Sequence, residues 1–144
     1  MGRTRRISSD DILDAAERVV VRLGAAGLSI DAVAQEAGVS KATVVYDHKS
    51  KSALLEALID RRVKADIAYI DACVAANAVA PHPGLFGRIA AAEKPVDETE
   101  KAVAMAVSAS VSNEAKLQES MRAWTAADLK AMAVKLDLMR PAHS

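Results

Sequence analysis

Aromatic side chains are scarce in this sequence, at 3% of 144 residues, and glycine and proline are few, at six and four. The apolar half therefore consists mostly of Ala, Val, Leu and Ile, a mix that favours helix. A single cysteine, Cys73, excludes an internal disulfide and makes a cysteine-based zinc site improbable. Its expected role is a small apolar side chain on a helix. The formal net charge is zero, so no global basic field draws the chain to nucleic acid, and any such field must be local. No apolar run approaches the roughly 18–20 residues that span a bilayer. Arg3, Arg5 and Arg6 open the chain without an apolar stretch behind them, so no secretory signal is expected. The patterns of hydrolases, zinc proteases and phosphate-binding loops are missing, which argues against an enzyme. The expectation is a cytoplasmic, all-α protein with no cofactor, no metal and no membrane partner.

What is present is a series of helix starts and stops. Ser8-Ser9-Asp10-Asp11 supplies a cap and two carboxylates that complement a helix N-terminus. Ile12, Ala16, Val19 and Leu23 follow at helical spacing. Gly24 and Gly27 bracket a stop, with Leu28 packing back after it. Ser29 begins a second helix, with Ile30, Val33, Ala34 and Ala37 as its apolar stripe. Gly38 ends it, and Ser40 caps a third, Ala42 to Asp47. Three short helices in this order, the last two joined by a tight glycine turn, read as a helix-turn-helix.

A long helix is expected from Ser50 to about Ala80, through Leu54, Leu55, Leu58, Ile59, Val63, Ile67 and Ile70. Pro81-His82-Pro83-Gly84 breaks it. A short helical piece runs from Leu85 to Glu93. Asp97 caps a helix containing Val103, Met105, Val107 and Val111. Ser112 and Asn113 mark a turn. A last helix carries Leu117, Met121, Trp124, Leu129, Met132 and Leu136, and Pro141 closes the chain.

The segment Ile12 to Leu58 resembles the DNA-binding head of TetR/AcrR-type transcriptional regulators. AGVSKATVVY followed by KSKSALLEAL is its specific part. The resemblance implies a head over residues 1–49, joined by a long connecting helix to a helical ligand-binding and dimerisation body over 50–144. It implies a ligand-responsive repressor that binds a palindromic stretch of double-stranded DNA as a homodimer. The helix Ser40 to Tyr46 would enter the major groove. Lys41 would reach a phosphate or a guanine edge, and Ala42 would allow close approach to a thymine methyl. Thr43 and Tyr46 would offer hydroxyls to phosphates. Ser29 and Ser40 would help hold phosphates at helix starts, and Lys51 would clamp the backbone. The three arginines at the start would follow an adjacent minor groove.

The chain departs from the family at Val45-Tyr46-Asp47-His48, where Tyr-Tyr-His-Phe is common. Val45 would make an apolar contact in place of an aromatic one. Asp47 sets a negative charge where a phosphate-facing histidine is usual, which is expected to weaken or shift binding. His48 replaces an apolar core residue and is expected to be partly buried and hydrogen-bonded. In the body, Tyr69, Phe86, Met105, Met121 and Trp124 are the candidates to surround a small apolar effector. The body also reads as short for this family, with its dimer helices missing or reduced. A second reading follows from Val45, Asp47, the zero net charge and that short body: a helical interaction module that does not bind operator DNA by itself.

Overall fold

Serine and aspartate caps begin most of the helices, and they do so where the sequence places them. The computed structural model describes residues 6–112 and 114–137. The Ser8 hydroxyl accepts from the Asp11 amide, and the Asp11 carboxylate accepts from the Ser8 amide. This reciprocal cap opens α1 (Ser9–Gly27) and satisfies amides that a helix start leaves without partners. Gly24 interrupts α1 with a φ of 69°, a left-handed conformation that suits glycine. Leu28 then folds inward and is buried, as its place after the stop suggests. Leu23 does not continue the apolar stripe: it is 50% exposed, because the break at Gly24 ends the regular helical phase beside it.

The Ser29 hydroxyl accepts from the Ala32 amide and starts α2 (Ile30–Ala37). Gly38 ends α2, also at a φ of 69°. Its amide donates back to the carbonyls of Ala34 and Gln35. Ser40 then caps α3 (Lys41–Asp47), so only three residues separate the two helices. α4 spans Lys51–Ala76 and stops before the expected Ala80. The Asn77 side chain takes the Cys73 carbonyl at 2.8 Å, and the Asn77 amide bifurcates onto Cys73 and Val74, which closes the final turn. α5 (Pro83–Ala92) has proline in its first turn, where the missing N–H costs nothing. Asp97 and Glu100 cap α6 (Glu98–Val111) reciprocally. α7 spans Ala115–Asp137. Among the described residues there are seven helices and no strand. Asn113, Pro141 and the side chains of Val111 and Leu136 lie outside what is described.

The helices divide into two units. The first runs through Arg61 and includes Val96–Glu114; the second comprises Arg62–Pro95 and the chain from Ala115. The first unit thus holds α1, α2, α3, the start of α4, and α6. α6 packs against α1, although the sequence pattern groups it with the helices after residue 50. Its buried side chains, Val103 and Ala106, form one face a turn apart.

Every buried apolar side chain among the described residues except Leu117 lies in this first unit. Ile12, Val19 and Val20 come from α1, Val33 and Ala34 from α2, Val44 from α3, and Leu54, Leu55, Leu58 and Ile59 from α4. Each fully buried Leu, Ile or Val is worth about 1.5–3 kcal/mol, so this core is what holds the three short helices in place. α2 and α3, at eight and seven residues, are too short to persist alone.

The second unit contains the rest of α4, α5 and α7. Here Gly87 of α5 is buried against Val74 of α4. Larger apolar side chains stay partly open: Ile67, Leu85, Phe86 and Ile89 are each between 44% and 49% exposed. No helix among the described residues is long and apolar enough to cross a membrane.

Candidate nucleic-acid interface

α3 shows how a helix of seven residues can be both anchored and free. Val44 is fully buried; every other side chain from Lys41 to Asp47 is exposed. Tyr46 is 86% exposed, an unusual state for a large aromatic ring with an apolar body. The helix therefore hangs on one side chain and on its two ends. At its start, the Ser40 hydroxyl accepts from the Thr43 amide at 3.2 Å and meets the Thr43 hydroxyl at 2.9 Å. At its end, the amide of His48 donates to the Val44 carbonyl at 2.8 Å.

His48 is 7% exposed, and its Nε2 lies 3.3 Å from the Ser9 hydroxyl. It ties the end of α3 to the start of α1. Burial pushes its pKa down, and the neighbouring Asp47 only partly offsets this. The folded head therefore favours neutral imidazole. Below the ordinary value of 6.5 the unfolded chain takes up the proton first. The stability that His48 contributes is present above that pH and is lost as pH falls toward the depressed folded value. His48→Phe should abolish this loss. We expect thermal melts of the wild type to move down between pH 7.5 and 5.5 by more than those of the variant. Equal shifts in the two proteins would show that His48 does not titrate in that window.

Some of the other expected contact residues lie on or beside α3. Ala42, Thr43, Tyr46 and Asp47 share a shallow groove with Arg6, Ile7, Ser9 and Val39. Arg6 thus lies beside α3, and Arg3 and Arg5 lie outside the described residues. Val45 is 37% exposed on the same helix. Lys41 forms an ion pair with Asp31 of α2 at 3.3 Å, both side chains well exposed. Such a pair is worth little in water and opens readily toward a stronger anion. Lys51 donates to the Ala25 carbonyl at 2.9 Å, so one of its N–H groups holds the end of α1 against the start of α4. Both pairings join residues distant in sequence, and no local pattern announces them.

Ion pairs also join α1 to α2 and to α4. Arg18 and Arg22 of α1 both reach Glu36 of α2 at 3.0 Å. The Arg18 hydrogen bond leads in holding the Glu36 carboxyl below its usual range. Arg61 of α4 meets Asp14 and Glu17 of α1. Burial opposes its charge, but these two carboxylates outweigh it and raise its pKa.

Residues 12–58 match the family model described as bacterial regulatory proteins, tetR family. The head is that of a tetR-family regulator. No curated protein matches the sequence. The match covers α2 and α3 entirely and ends within α4. The chain's coarse function follows from this tetR-type head: it is a DNA-binding regulator of transcription. Its buried Val44 and positive-φ Gly38 hold α2 and α3 in the helix-turn-helix arrangement, with the other side chains of α3 exposed.

The second unit carries a different feature, a cavity of about 460 Å³ lined by α4, α5 and α7. Val63, Asp66, Ile67, Ile70 and Asp71 supply the α4 side, at spacings that form one helix face. Arg88 comes from α5, and Trp124, Ala127, Asp128 and Ala131 from α7. Of the five side chains expected to surround an effector, Trp124 lines this cavity. Tyr69 points off the Val63–Ile70 stripe and carries the Lys94 ammonium 5.1 Å over its ring. Phe86 stands two residues from Arg88, on another side of α5, and Met121 is not in the lining. Met105 lies on α6, in the first unit, and is 74% exposed. The lining includes charges that the apolar pattern of the sequence does not suggest. Among the described residues no group of three or more His, Cys, Asp or Glu could hold a metal.

Proposed function

We propose that this tetR-type protein is a ligand-responsive repressor that binds a palindromic operator as a homodimer. The observation that carries the reading is α3, which exposes every side chain except the one that anchors it. Its width fits the major groove, where base edges are distinguishable. In this reading Lys41 leaves Asp31 for a guanine edge or a phosphate, and Ala42 and Val45 meet thymine methyls. Thr43 and Tyr46 give hydroxyls to phosphates. Ser29 and Ser40 keep their capping roles and add phosphate contacts through the helix starts. Lys51 holds Ala25 with one N–H and turns the others to the DNA backbone. The head up to residue 49 reads the operator, and the helices after it carry dimerisation and effector binding.

Two half-sites read by one symmetric dimer make spacing the controlled quantity. A ligand in the α4–α5–α7 cavity that favours another spacing of the heads lowers operator affinity. A coupling of roughly 1–3 kcal/mol changes occupancy about 5–150-fold. The open apolar side chains of α5 and α7, such as Ile89 and Leu129, support a partner surface for a second copy.

Selection of bound duplexes from a randomised pool at moderate salt tests the reading. Enrichment of a palindrome is expected. The exposed Asp47 on the DNA-facing helix favours a second reading, an interaction module without its own operator, and absence of any enrichment would select it. Tyr46→Phe is a finer check. It removes only a hydroxyl from an exposed ring, so stability should stay within about 0.5 kcal/mol. Operator affinity should fall several-fold, since one hydrogen bond is worth about 0.5–1.5 kcal/mol. Unchanged affinity would remove Tyr46 from the interface.

A further inference from the structure

We infer that Asp47 is a base-reading residue of α3 and that it selects cytosine in the major groove. The inference rests on reading α3 as the helix that enters that groove. Local stability does not favour a carboxylate at this position. Asp47 is the last residue of α3, where a helix end carries partial negative charge. Aspartate is also a weak helix former. Its side chain is exposed, and among the described residues no hydrogen bond or ion pair occupies its carboxylate. Asp31 of α2 differs in this, since Lys41 pairs with it at 3.3 Å. A residue that local rules disfavour marks a place where another demand applies.

The surroundings of Asp47 narrow that demand. It follows Thr43 by one turn of α3, and both line one groove with Ala42 and Tyr46. With α3 in DNA, this face meets phosphates or base edges. A phosphate offers no donor and repels a carboxylate. Ionised aspartate only accepts, so it needs an N–H. In the major groove the base edges offer two, the amino groups of cytosine and adenine, whereas guanine and thymine present acceptors. Adenine sets its N7 acceptor beside the amino group, where the second carboxylate oxygen would meet it. Cytosine presents its amino group without that acceptor. Cytosine is therefore the base that a carboxylate distinguishes. The charge opposes every duplex through the phosphates and is offset where cytosine stands opposite it. It thereby widens the gap between the operator and other DNA.

The test is selection of bound duplexes from a randomised pool by the full chain, by Asp47→Asn and by Asp47→Ala, at pH 7.5 and one moderate salt concentration. Each protein is then titrated against the enriched duplex and its single-base variants. Wild type should enrich a palindrome with a cytosine in each half-site that Asp47→Ala no longer selects. Replacing that cytosine should weaken wild-type binding about tenfold or more and change binding by Asp47→Ala less than about threefold. Asp47→Asn, whose amide both donates and accepts, should move the preference at that position to adenine. Both variants should melt no lower than wild type, because each removes a charge that opposes the helix end. If Asp47 only repels phosphates, both variants will gain affinity for every duplex and keep the wild-type base preferences. That result would overturn the assignment and leave the operator reading standing. Enrichment by Asp47→Ala but not by wild type would overturn it in the same way. No enrichment by any of the three proteins would remove the assignment and the operator reading together.

Discussion

Val44→Asp should cost the head about 3 kcal/mol or more and abolish DNA binding, while the same change one residue later should leave the fold intact. Val44 is fully buried and is the one core side chain of α3. A carboxylate there must either lose its water or pull α3 off α1 and α2. Domains are stable by only about 5–15 kcal/mol, and α3 is too short to stay helical once detached. Val45, at 37% exposed, faces outward. Val45→Asp should shift stability by no more than about 0.5 kcal/mol. It adds a negative charge to the face proposed to meet phosphates, so affinity for all duplexes should fall by about tenfold or more at low salt. Thermal melts and a binding titration on both variants check the pair. If Val45→Asp unfolds the head like Val44→Asp, the orientation of α3 is not as described. If it binds DNA like wild type, another face makes the contact.

Gly87→Ala is the second large effect, and its sign opposes helix propensity. In an unconstrained helix, alanine for glycine is favourable by roughly 0.5–1 kcal/mol. At Gly87 a new Cβ would stand 2.5 Å from the Val74 Cα and 2.6 Å from its backbone nitrogen. Backbone cannot step aside like the end of a flexible side chain, so α4 and α5 must separate. Overpacking of this kind costs about 1–3 kcal/mol, which exceeds the propensity gain. The displacement also moves Arg88, the next residue, out of the cavity it lines. Gly84→Ala is the internal control. It lies in the same helix with nothing within 4 Å of the added Cβ, and it should be neutral or slightly stabilising. Opposite shifts in melting temperature are the expected result. Like shifts would mean that the α4–α5 approach at Gly87 is looser than the structure has it.

The head was legible because its signals are local. Ser8 with Asp11, Ser29, Ser40 and Gly38 act within three or four residues of themselves, and each occupies the place its chemistry suggests. The apolar residues Ile12, Val33, Val44 and Leu58 are buried because their spacing places them on one face of their helices. The end of α4 was less legible, since Asn77 closes the helix by a side-chain bond that propensity does not foresee. In the second unit the sequence drew attention to aromatic and methionine side chains, of which Trp124 lines the cavity. No motif in the sequence marks Asp66, Asp71, Arg88 or Asp128, the charged residues of that lining.

The class of fold, the order of the helices and the three-helix head could be read along the chain, because periodicity and capping are written within a turn or two of it. Folding in three dimensions was needed to bring α6 against α1, Lys51 onto Ala25, Lys41 onto Asp31, and carboxylates from α4 and α7 into one cavity with Arg88 of α5. Those pairings join residues ten or more positions apart. Helix periodicity says which way a side chain faces along its own axis and nothing about which neighbour will meet it there.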